Sequence, residues 1–142
     1  MKVYLLQYCY YEDSETQGVY TQEAMEREKK TYVEEGRKMQ QRDIEYKKSQ
    51  IASLEQKKKK VVADESAFLK DQQAAKNAGY MDAVKRIRKL RKPLTKEIAN
   101  LSHQISILSH DICQLEGKTD EQLCNDYMHR NHLSFEEFYV LE

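Results

Sequence analysis

Six of the eight residues from Lys85 to Lys92 are cationic: Lys85, Arg86, Arg88, Lys89, Arg91 and Lys92, broken only by Ile87 and Leu90. A second run, Lys57-Lys58-Lys59-Lys60, lies upstream. Neither run holds a Cys, His, Ser or carboxylate beside its lysines and arginines, so the chemistry on offer is electrostatic. Clustered ammonium and guanidinium groups bind phosphates by neutralising charge and releasing counterions, without reading sequence. The same groups suit an acidic protein surface, and on a solvated helix they serve solubility alone. On a helix, Ile87 and Leu90 form one apolar stripe and leave the remaining circumference to charge.

Other chemistry finds less support. His110-x-x-Cys113 and His129-x-x-His132 each span one helical turn, and Cys124 lies between them. That spacing permits metal ligation, but structural zinc sites repeat paired Cys or Cys/His ligands at close intervals. Cys113 also follows the apolar Ile112 and can help line a core. No metal or cofactor is expected. The chain has no glycine-rich phosphate loop, nucleophile elbow or metalloprotease helix. No Cys–His or carboxylate pair comes with a supporting third group, so no enzyme is expected. Tyr4, Tyr8, Tyr10, Tyr11 and Tyr20 are half of the ten tyrosines. Strand propensity and core packing account for them, and an aromatic interface is the alternative.

The elements that must position these groups follow from periodicity. Val84, Ile87, Leu94, Ile98, Leu101, Ile105, Leu108, Ile112 and Leu115 recur at helical spacing. From Leu94 onward the steps alternate strictly between three and four, the seam of a coiled coil. So narrow a stripe needs a second helix laid along it. The preceding stretch, Met39 to Lys76, has no Pro or Gly and a poorer seam of Ile44, Ile51, Leu54, Val61, Phe68 and Leu69, with Lys58 and Glu65 interrupting the heptad. Asn77-Ala78-Gly79 between them is a helix stop, since Gly accepts the left-handed conformation. Two arms of similar length, each about 55 Å at 1.5 Å per residue, therefore form an antiparallel hairpin over 37–116. Turning at 78–79, Lys85–Lys92 faces roughly 66–73, where only Asp71 is acidic. Pro93 should kink the second arm or end a segment there.

Both ends read as a small head. Lys2 to Tyr11 is a strand apolar on both faces and central in a sheet, Glu12 to Thr16 is turn material, and Gln17 to Tyr20 returns antiparallel. Thr21 caps a helix running to about Gly36, which marks a bend or a tolerated weak point. Glu116-Gly117-Lys118 closes the second arm, and Thr119-x-x-Gln122 opens a short helix to about Arg130. Ser134 to Glu142 fits either a capped helix or a two-sided strand, and the strand is favoured because it completes the sheet.

Composition agrees with a long-helix protein. The 142 residues are 34% charged, with four Gly, one Pro and no Trp. Net charge is zero but segregated: −4 over 1–36, +10 over 37–110 and −6 over 111–142. Three cysteines, Cys9, Cys113 and Cys124, do not make a disulfide framework and fit a reducing compartment. The start lacks a signal peptide's apolar core, and no stretch approaches a membrane span, so a soluble cytoplasmic protein without membrane contact is expected.

The run MKVYLLQYCYYED…GVYT…EAMEREKKTYVEE, with a closing FYVLE, resembles small uncharacterised phage and bacterial domains built as strand–strand–helix–strand. The resemblance covers about 35 residues at the front and eight at the back, and makes the helical hairpin an insertion. It implies a mobile-element protein and carries over no catalytic residue.

The expected fold is therefore α+β and α-dominated, a small acidic head from 1–36 and 117–142 with a basic coiled-coil hairpin from 37–116. The expected function is non-enzymatic. The arm, through Lys57–Lys60 and the six cations of 85–92, engages and can inhibit a host protein or nucleoprotein complex with an acidic surface. Direct nonspecific DNA or RNA binding by the same residues is the alternative, and a structural spacer is a third. The seam Leu94, Ile98, Leu101, Ile105, Leu108, Ile112 and Leu115 is expected to recruit a second copy into a homodimer or higher oligomer. The acidic ends of another copy are a possible partner for the arm.

Overall fold

A computed structural model describes residues 1–10 and 13–140. Tyr11 and Glu12, and with them the end of the expected first strand, lie outside the described residues, as do Leu141 and Glu142. The elements are β1 (Lys2–Tyr10), β2 (Asp13–Tyr20), α1 (Gln22–Asn77), α2 (Met81–Glu116), α3 (Asp120–Arg130) and β3 (Leu133–Tyr139). The fold is α+β and dominated by helix. The chain divides into two compact units, Met1–Ile44 with Leu115–Glu142, and Glu45–Gln114.

In the first unit an antiparallel sheet runs β2-β1-β3, with the apolar β1 in the centre. Leu6 opposes Gly18 on one side and Phe135 on the other. Between Leu6 and Gln7 the register shifts, and Gln17 is the extra residue of a bulge on β2. Asp13 to Thr16 is strand rather than turn. The buried Gln7 explains this: its amide nitrogen donates to the Thr16 hydroxyl at 3.0 Å, so a polar stretch pairs as an edge strand. The C-terminal segment is the strand favoured above. Glu137 takes Lys2 at 2.7 Å across the β1–β3 pair instead of capping a helix.

Helices cover one face of this sheet. Leu6, Tyr32, Cys124 and Met128 form the buried cluster, flanked by Tyr20, Val33, Tyr127, Leu133 and Phe135. Tyr32 stacks on Tyr127 at 5.0 Å between ring centroids, and Tyr20 meets Phe135 edge-on at 5.6 Å. The early tyrosines thus divide: Tyr20 packs, while Tyr8 and Tyr10 stay exposed. Thr21 caps α1, its hydroxyl accepting from the Ala24 amide at 3.2 Å. Thr119 and Gln122 close a reciprocal capping box at the start of α3.

α1 passes through Gly36 without a break. The glycine is buried where α1 meets α3, and a Cβ there would stand 2.8 Å from the carbonyl carbon of Leu123. Close helix approach, not flexibility, is the reason for this residue.

In the second unit α1 and α2 form the helical hairpin. α1 ends in a Schellman motif: Tyr80 donates to the Ala75 carbonyl at 2.9 Å and Gly79 to that of Lys76 at 3.1 Å, with Gly79 at φ 79°. α2 does not end at Pro93, which lies inside it on the exposed side, where water can serve the carbonyl that loses its donor.

Candidate binding surface of the helical hairpin

The seam decides which cations face outward. On α2 the seam runs through Val84, Ile87, Arg91, Leu94, Ile98, Leu101, Ile105, Leu108 and Ile112, all buried or half-buried and three and four apart without interruption. On α1 it runs through Lys47, Ile51, Leu54, Lys58, Val61, Glu65, Phe68, Gln72 and Ala75. Lys58 and Glu65 therefore occupy seam positions, and the heptad runs through them. Leu115, the last of the expected seam residues, belongs to the first unit and is half-buried there.

Arg91 is the cation of the 85–92 run that the seam draws into an internal ion pair. Its guanidinium donates to Glu65 Oε1 from Nε and Nη2 and to Gln72 Oε1 from Nη1, the last at 2.7 Å. The side chains of Arg91 and Glu65 are 23% and 18% exposed. The expectation that Asp71 is the only acid facing this segment is corrected: Glu65, one residue beyond the expected window, reaches it. At the other end of the unit Lys47 stands 3.9 Å from Asp111.

The remaining predicted site residues are placed differently. Lys57, Lys59, Lys60, Lys85, Arg86, Arg88, Lys89 and Lys92 are all exposed, and Lys58 is half-buried in the seam. None of these nine forms an ion pair among the described residues. Residues 45–114 carry fifteen basic and eight acidic side chains, a net of +7.

Two surface features were not singled out in the sequence. Arg88, Arg91, Lys92, Thr95, Lys96 and Ala99 line a depression of about 480 Å³ on one side of α2. Lys96 extends the basic run by one turn beyond Lys92, a signal that i,i+4 spacing already contains. Gln50, Ser53, Leu54, Gln104, Ile107 and Leu108 line a second, of about 430 Å³, where the seam is open to solvent and Ile107 is 48% exposed. Single-seam packing of two helices leaves such a flank uncovered.

Of the residues weighed for metal, Cys124 is buried with its thiol 3.8 Å from the Met128 sulfur, and burial pushes that thiol upward in pKa. His110, Cys113, His129 and His132 are exposed. No cluster of three or more His, Cys, Asp or Glu among the described residues could hold a metal ion. No helix among them is long and apolar enough to cross a membrane.

These features define an α+β protein with an unneutralised basic helical hairpin. The sequence matches no protein-family model, and neither curated proteins nor solved structures give a match.

Proposed function

We propose that this is a binding protein with no reaction of its own, of phage or other mobile-element origin, that engages a host protein or nucleoprotein complex through the hairpin. One observation carries the reading: eight exposed cations on the hairpin lack an acidic partner among the described residues. Holding that many like charges together costs mutual repulsion, which an opposing acidic surface relieves. Occupying such a surface is also a means of inhibition.

A second reading, direct binding of DNA or RNA, draws on the depression along α2. Arg88, Lys92 and Lys96 follow one another by about one turn beside the Thr95 hydroxyl, an array that suits a phosphate backbone.

The test is capture from a host lysate by tagged protein, with and without nuclease treatment, beside the triple reversal Arg86→Glu, Arg88→Glu, Lys89→Glu. Retention by the original chain and loss in the reversal, with helix content unchanged, is the expected result. A partner released by nuclease favours the second reading. Equal retention by both chains overturns the role of the hairpin cations.

A further inference from the structure

The turn of the hairpin carries two large side chains that neither the seam nor the basic run uses. Tyr80 is 68% exposed and Met81 57%. The backbone amide of Tyr80 closes the Schellman motif, but its ring is not tucked against the helix it terminates. Tyr80 and Met81, with Gly79, Asp82, Ala83 and Arg86, line a depression of about 580 Å³. Behind it the exposed Lys85, Arg88, Lys89 and Lys92 continue along α2.

An exposed aromatic ring at the head of an unpaired cationic track is the combination that single-stranded nucleic acids meet in their binding proteins. The cations follow the backbone, and the ring takes the face of a base whatever its identity. A duplex keeps its base faces stacked inside and offers the same surface phosphates, sugars and groove edges but no open base face. The ring therefore adds nothing for a duplex and a stacking partner for a single strand.

We infer that the tip of the hairpin binds single-stranded nucleic acid, with one base stacked on Tyr80 and the flanking phosphates on Arg86, Lys85 and Lys89. The inference rests on the hairpin cations being the contact surface and names the ligand at their end. Asp82 is the acid in the depression, and its charge opposes the phosphates. The strand is held in spite of Asp82, so removing that charge should tighten binding.

The test is a fluorescence-anisotropy titration of the full chain with a labelled single strand of about 20 nucleotides and a duplex of equal length, at about 50 and 200 mM salt. The single strand is expected to bind about tenfold more tightly than the duplex. Tyr80→Ala should remove about that factor from the single strand and leave duplex binding unchanged, because stacking on an aromatic ring contributes on this scale per base. Tyr80→Phe should keep the preference, since it keeps the ring face. Asp82→Asn should strengthen binding of both ligands, and the gain should shrink at higher salt. Equal affinity for the two ligands, or a Tyr80→Ala chain that binds the single strand as the original does, overturns the tip while leaving the cationic hairpin as a contact surface. No binding of either at the lower salt overturns the inference and leaves an acidic protein as the hairpin's partner. Circular dichroism on each variant confirms that the exposed substitutions preserve the helices.

Discussion

Arg91 reaches across the hairpin to Glu65 with two nitrogens on one carboxylate oxygen, at 3.1 and 2.7 Å. Both residues occupy heptad positions that would otherwise hold aliphatic side chains. A polar pair inside an apolar seam is satisfied only in one alignment of the helices, because a slip by one turn leaves two half-buried charges without partners. The pair therefore selects the register of the hairpin. It also shows that a cation within a basic run is not by that fact available to a partner.

Removing one member should cost more than removing both. Arg91→Ala and Glu65→Ala are each expected to destabilise the protein by about 1–3 kcal/mol, since each strands a partly desolvated charge. The combined Arg91→Leu, Glu65→Leu chain should match or exceed the original in stability, with the seam continuous. Urea unfolding of the two single variants, the double-alanine variant and the Leu/Leu chain measures this, and additive single effects would remove the coupling. Partner or nucleic-acid binding should survive the Leu/Leu change and fall on Arg88→Glu with Lys89→Glu.

Gly36 yields a prediction opposite in sign to the one its sequence context suggests. In a solvent-exposed helix, Gly→Ala gains about 1 kcal/mol. Here the added methyl would press on the Leu123 carbonyl, which is backbone and cannot swing aside. Separating α1 from α3 disturbs the packing of Leu123 and Cys124, so Gly36→Ala should lower stability by about 1–3 kcal/mol despite the better helix propensity. Thermal unfolding settles the sign.

What the sequence disclosed and what it hid divide by range. Thr21, Asn77-Ala78-Gly79 and the Thr119–Gln122 box were legible because a cap is a bargain among residues within a few positions of one another. The α2 seam from Leu94 was legible because aliphatic residues repeat along a single helix. Arg91 and Glu65 were not, since each alone reads as an interruption and only the pairing across the turn makes them one element. Gly36 hid its role for the same reason: the approach of Leu123 comes from a segment 87 residues away. Asp13–Thr16 read as turn because edge strands admit polar residues that central strands exclude. The clustering of ten cations in two runs is plain in the sequence, but which eight of them stay exposed and free of internal ion pairs needs the register of the hairpin.

Tyr32 supplies a pH dependence with a defined direction. Its ring is buried between Tyr127 and Phe135, and burial raises its pKa above the ordinary tyrosine value, helped by the neighbouring Glu28 carboxylate. An unfolded chain releases this proton near pH 10, whereas the folded chain holds it to higher pH. The folded state then binds more protons, so the contribution is complete below about pH 10 and is lost as pH rises through the raised value. Tyr32→Phe keeps both ring stacks and removes the titration. Unfolding free energies measured from neutral pH to about pH 11 should fall more steeply for the original chain than for the variant, by up to about 1.4 kcal/mol per pH unit at the alkaline end. The buried Cys124 thiol, also raised by burial, adds an alkaline slope to both chains and cancels in the comparison. Parallel slopes in the two chains would mean that the Tyr32 phenol titrates alike folded and unfolded, and that its burial does not protect the proton.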